Sequence, residues 1–150
     1  MRTINGLDEL QAAKGETLGS SDWQVIDQEK INGFADVTGD HQWIHVDPER
    51  AKDSPFGSTI AHGFLTLSLY PVLMAEIAKF DGFKFGLNYG LNKVRFMSPV
   101  PVDSKVRGTA TLKDITEVSG GVQATIEMLW EIEGTEKPAC VAEQLVRLYL

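Results

Sequence analysis

The strongest constraint on the fold is a single apolar segment, A-H-G-F-L-T-L-S-L-Y-P-V-L-M-A-E-I-A-K-F, at residues 61–80. Its hydrophobic residues fall on nearly every side of a helical wheel, the pattern of a helix enclosed by protein rather than one lying on a surface. It is too short, and Glu76 and Lys79 too polar, for a bilayer span of roughly 20 apolar residues. Pro71 has no N–H to donate and should kink it.

Near residue 84 the period changes. Val122, Ala124, Ile126, Met128, Trp130 and Ile132 alternate with Gln123, Thr125, Glu127, Leu129, Glu131 and Glu133. That is a long antiparallel strand with one buried face. Gly120-Gly121 and the run E-G-T-E at 133–136 supply hairpin turns on either side. Neighbouring strands are expected at 86–97, Lys105 to Thr116 and Ala139 to Tyr149. A buried helix followed by at least four long strands gives an α+β class, most economically with a curved sheet wrapped around the helix. One sheet edge would stay open in a single chain, so pairing of two copies is expected.

The 150 residues fit one domain spanning 1–150. A net charge of −7 argues against nucleic acid or an anionic membrane surface as a general partner. Cys140 is the only cysteine, which excludes an intrachain disulfide and a cysteine-rich metal site. The start, M-R-T-I-N-G-L-D-E-L, meets acids early and lacks the apolar run of a signal peptide, so a soluble cytoplasmic protein is expected.

Before the apolar segment, a helix is expected from Gln28 to Val37, capped by Asp27 and stopped by Gly39. Asp47-Pro48 reads as N-cap and first helical residue of a short turn through Lys52. Between them lies T-G-D-H-Q-W-I-H-V-D, residues 38–47, where acids and imidazoles alternate with bulky apolar groups. Read as a tight loop over the apolar helix, it lets Asp40 and His45 aim at one point. Partial desolvation by Trp43 and Ile44 would raise the Asp40 pKa, and a neutral His45 could take a proton from water.

The second piece is Ala61-His62-Gly63 at the start of the apolar helix. The first amides of a helix lack internal partners, and Gly63 has no side chain, so a substrate carbonyl could approach its N–H as in an oxyanion hole. Each residue alone has a plainer reading: Asp40 as a turn former, His45 as a core imidazole, His62-Gly63 as a close helix start. The i, i+4 spacing of His41 and His45 could also suggest metal ligation with Asp40 or Asp47, but Gly39 and the restart at Asp47-Pro48 argue against a helix there. No G-x-S-x-G or P-loop is present.

The run F-A-D-V-T-G-D-H-Q-W-I-H-V-D-P-E-R-A, then P-F-G-S-T-I-A-H-G-F-L-T-L-S-L, then R-F-M-S-P-V-P-V-D-S, resembles the MaoC-like (R)-specific enoyl-CoA hydratases over almost the whole chain. It is similar to their actinobacterial single-domain, NodN-like branch. The resemblance implies a hotdog fold, a homodimer, and reversible addition of water to a trans-2-enoyl-CoA giving an (R)-3-hydroxyacyl-CoA, with no metal and no cofactor. It implies that Asp40 and His45 share the catalytic water and that Gly63 and His62 form the oxyanion and substrate-binding part of the site, the Gly63 N–H facing the thioester oxygen. The acyl chain would occupy an apolar pocket.

Two positions depart from the family pattern. Gln42-Trp43 stands where Asn-Pro is usual, and Pro71 where some relatives carry a serine that supports the aspartate. Trp43 could narrow the pocket, and Ser68 or Thr66 could stand in for the serine. A hotdog acyl-CoA thioesterase and a non-catalytic acyl-CoA-binding module are the competing functions.

Overall fold

A computed structural model describes all residues 1–150. The main sheet has six strands. These are β2 (Thr17–Ser20), β3 (Gln24–Ile26), β5 (Phe85–Phe96), β6 (Ser104–Val118), β7 (Gly121–Ile132) and β8 (Cys140–Tyr149), in the order β2-β6-β7-β8-β5 with β3 also on β6. Its pairs are antiparallel. Strand β7 buries every second residue from Val122 to Ile132, as its alternation demands. Glu131 and its neighbours on the other face are half-buried rather than wet, Glu131 being held by Arg107 and Thr109 across the strands.

The apolar segment forms α5 (Gly63–Ser68) and α6 (Tyr70–Ile77), so the single helix expected over 61–80 is interrupted and shorter. The break falls at Leu69, one residue before Tyr70-Pro71, because Pro71 has no N–H to donate to the Leu67 carbonyl and fits only the first turn of a new helix. After Ile77 the backbone turns extended, and β4 (Ala78–Asp81) pairs in parallel with β1 (Arg2–Asn5) as a separate two-stranded sheet. Sequence periodicity missed β1, β2, β3 and the helix α1 (Gly6–Ala12), so strands also precede residue 84.

Helix α6 seats on the sheet because β6 carries Gly108 beneath it. A Cβ there would lie 3.2 Å from the Cβ of Leu73 and 2.6 Å from the Sδ of Met128. The core between helix and sheet holds Leu73, Met74, Ile77, Leu112, Ile126, Met128 and Trp130. One chain's sheet covers only one side of the helices: Phe64 is 69% and Val72 46% exposed.

Strand β5 has a single neighbour, β8, and leaves Phe85, Leu87, Tyr89, Leu91 and Phe96 exposed along its 12 residues. No helix is long and apolar enough to cross a membrane.

Candidate active site

The site begins where α2 (Gln28–Thr38) ends. Asp27 caps its start by accepting from the Lys30 N–H at 2.9 Å. Gly39 closes it in the left-handed region (φ 78°), a conformation that glycine adopts without a Cβ penalty. The reversal brings Asp40 out of the helix axis. Its Oδ1 accepts weakly from the Gln42 N–H at 3.3 Å, leaving most of the carboxylate free.

Residues 43–46 are not an open loop but one helical turn, α3 (Trp43–Val46), followed by α4 (Pro48–Ala51) capped by Asp47. This turn rotates His45 inward, where it is only 7% exposed. Its Nδ1 lies 2.7 Å from the carbonyl oxygen of Ile60. A carbonyl only accepts, so in the neutral ring the proton sits on Nδ1 and Nε2 presents a lone pair. Burial lowers the His45 pKa below the ordinary imidazole value, and His62 adds to the lowering; the Ile60 bond and Asp40 pull the other way without overcoming it. Near neutral pH the ring is therefore a neutral base.

Asp40, His45 and His62 each bring one ligand-type atom within 4.8 Å of the others. The carboxylate and the buried imidazole thus converge. Asp40 itself is exposed, so the apolar shelter expected from Trp43 and Ile44 is not found in one chain. The reason is visible at Trp43, whose ring lies under the Arg50 guanidinium at 4.2 Å rather than over the carboxylate. Trp43 does not line the cavity beside His45 either.

His62 is 3% exposed, directly precedes α5, and sets its Nε2 3.0 Å from the backbone oxygen of Asp40. Its ring stacks on that of His45, with centroids 3.9 Å apart and planes inclined by 24°. Its Nδ1 is buried without a partner, which costs roughly 1–3 kcal/mol. Stacked rings hold their nitrogen lone pairs in nearly parallel planes, and His62 Nε2 is already engaged. The trio brings together one carboxylate and two imidazole nitrogens without partners, His45 Nε2 and the buried His62 Nδ1. His41 stands apart, paired with Asp36 at 2.9 Å.

A cavity of about 290 Å³ opens beside His45 and is lined also by Gly63, Thr66, Phe96 and Met97. Gly63 is the first residue of α5, so its N–H has no intrahelical acceptor. A Cβ on Gly63 would sit 3.2 Å from the Phe96 ring, so a larger residue would crowd this wall. Neither Asp40 nor His62 lines the cavity. Of the residues considered as stand-ins for the missing serine, Thr66 is buried against the cavity, whereas Ser68 donates to the Phe64 carbonyl. Pro71 borders a separate, larger apolar groove of about 690 Å³ with Tyr70, Met74 and Val146.

Sequence reasoning missed Gln28. Its amide donates to the His45 carbonyl at 2.7 Å, and its oxygen accepts from the Thr59 hydroxyl at 2.6 Å. It clamps the His45 turn to the strand-like segment that supplies the Ile60 carbonyl.

Three comparisons bear on this arrangement. Residues 9–130 match the family described as MaoC like domain. The chain is 57% identical over 148 residues to 3-hydroxyacyl-thioester dehydratase Z of Mycobacterium tuberculosis, covering 98% of each. It is 47% identical over 139 residues to nodulation protein N of Rhizobium leguminosarum bv. viciae, covering 91% of this chain and 86% of that one. Among solved structures it resembles an (R)-hydratase from A. caviae involved in PHA biosynthesis, with TM-score 0.72 and 23% identity, covering 87% of this chain and 95% of that one. An R-hydratase of Pseudomonas aeruginosa gives TM-score 0.74 at 18% identity, covering 91% and 81%. The fold is thus the hotdog fold expected from the sequence.

The buried, tautomer-locked state of His45 is directly measurable. A proton–nitrogen correlation titration of the imidazoles should show its proton on Nδ1 and a midpoint below the ordinary value of about 6.5. A midpoint above that value would contradict the geometry.

Proposed function

The chain belongs to the MaoC-like dehydratase family, and we propose that it adds water reversibly to a trans-2-enoyl-CoA, giving an (R)-3-hydroxyacyl-CoA. The observation that supports this most is the convergence of the Asp40 carboxylate and the His45 imidazole beside a cavity that Gly63 also lines. In this reading the two side chains hold one water. His45 Nε2, unprotonated because Nδ1 is committed to Ile60, is suited to take its proton as the oxygen attacks C3. The pair then returns a proton to C2, so the water's two hydrogens end on the new hydroxyl and on C2. The Gly63 N–H faces the thioester oxygen as negative charge develops there; a donor of this kind is typically worth about 3 kcal/mol. Dehydration is the same path reversed.

The acyl chain has a route along the helices. In this reading it would pass from the small cavity, bordered by Thr66 of α5, toward the separate apolar groove, bordered by Tyr70 beyond the helix break. No step in this scheme calls on a metal or cofactor. We also propose a homodimer, in which the exposed apolar row of β5 pairs with a second copy. The low exposure of a working carboxylate would then come from the partner rather than from Trp43.

Hydration of crotonyl-CoA and longer enoyl-CoAs, followed by loss of enoyl absorbance, tests the reaction. Asp40→Asn and His45→Gln should each lower kcat/KM by at least about a hundredfold. Release of CoA thiol without hydration would instead indicate a thioesterase, and tight binding without turnover a non-catalytic module. Sedimentation equilibrium should return twice the chain mass of 16.5 kDa; a monomer at micromolar concentration would sink the pairing.

A further inference from the structure

We infer that His62 is a positioning residue, whose ring ties Asp40, His45 and Gly63 into one rigid unit without touching substrate. This rests on the proposed reaction for its kinetic consequence, though not for its geometry. Three separate links meet in this one residue. Its Nε2 faces the Asp40 backbone oxygen at 3.0 Å, and since that oxygen can only accept, the neutral ring carries its proton there. The face of its ring lies on His45 at 3.9 Å. Its own carbonyl carbon forms the peptide bond whose N–H is the Gly63 donor.

Phe34 of α2 also packs on the imidazole, with centroids 5.0 Å apart and planes inclined by 57°, so the ring is in contact with both Phe34 and His45. A shift of His62 therefore moves the acid, the base and the amide donor together. Two facts argue against plainer roles. The ring is 3% exposed, with Nε2 held at the Asp40 backbone and Nδ1 buried, so it offers substrate no accessible polar atom. It also leaves Nδ1 buried and unpartnered, a penalty that a leucine or phenylalanine would avoid if filling space were the only demand.

The test compares three variants. A glutamine amide can reach the place of Nε2 and restore the bond to Asp40; an asparagine amide falls nearer Nδ1 and cannot, and phenylalanine keeps only the stack. His62→Asn and His62→Phe should lower kcat for enoyl-CoA hydration by about tenfold or more with KM changed less than about threefold, as expected for misplaced rather than missing catalytic groups. His62→Gln should recover to within about threefold of wild type. A rise in KM alone would mean substrate contact, and unchanged kcat in His62→Asn or equal losses in Gln and Asn would mean packing only; each overturns the inference. Should a variant fail to fold, nitrogen-15 spectra of the wild-type imidazoles still decide. They must show His62 protonated on Nε2, and an Nδ1-protonated ring refutes the link to Asp40. If the wild type hydrates nothing, the proposed reaction fails, while this spectral reading judges His62 on its own.

Discussion

One hydrogen bond organises the site: His45 Nδ1 to the Ile60 carbonyl, at 2.7 Å in a buried setting. Without it the imidazole could present either nitrogen, and nothing would aim the lone pair toward Asp40. The acceptor is itself held on both sides. The Ile60 N–H donates to the Ile44 carbonyl at 3.0 Å, and Ala61 donates to Val100 at 2.8 Å. The segment carrying the acceptor is thus stitched to the turn carrying the base and to the loop after β5. Gln28 adds a third stitch from α2. The imidazole is thus set by backbone that is itself hydrogen-bonded to three other segments.

The sheet and helices serve this arrangement at a distance. Gly108 lets α6 lie close on β6, and the α5 start therefore stays where His62 and Gly63 face the end of α2. The proline break at Leu69 divides the helix into a first part that borders the cavity and a second that borders the apolar groove. The same helices and β5 leave an apolar surface uncovered in one chain, on Phe64, Val72 and the β5 row. A site whose carboxylate is exposed and whose walls include the half-open Phe96 and Met97 would be more enclosed in a pair of chains.

How much of this could be read from the residues depends on the range of the interactions. The strands from 85 onward announce themselves because burial of one face imposes period two on many consecutive residues. Helix α2 was legible through Asp27 and Gly39, which act on their immediate neighbours. Strands β1 to β3 are only three or four residues long, too short for a period to show, and β1 is ordered by a partner 76 residues away. In the site, Asp40, His45 and Gly63 stood out by type and spacing, whereas Gln28 and the Ile60 carbonyl did not. A backbone acceptor has no side-chain signature, and Gln28 meets His45 from 17 positions upstream. The expected shelter of Asp40 by Trp43 failed for a related reason: Arg50, seven residues on, claims the indole face.

In the proposed reaction an aspartate and a tautomer-locked histidine share the oxygen that adds to the substrate, opposite a glycine amide. The most direct measurement is a crystal structure of the protein with a 3-hydroxyacyl-CoA bound. The C3 hydroxyl should lie within hydrogen-bonding reach of both Asp40 and His45 Nε2, with the thioester oxygen on the Gly63 N–H. A hydroxyl directed away from both side chains, or a thioester seated elsewhere than at Gly63, would contradict the proposed reaction.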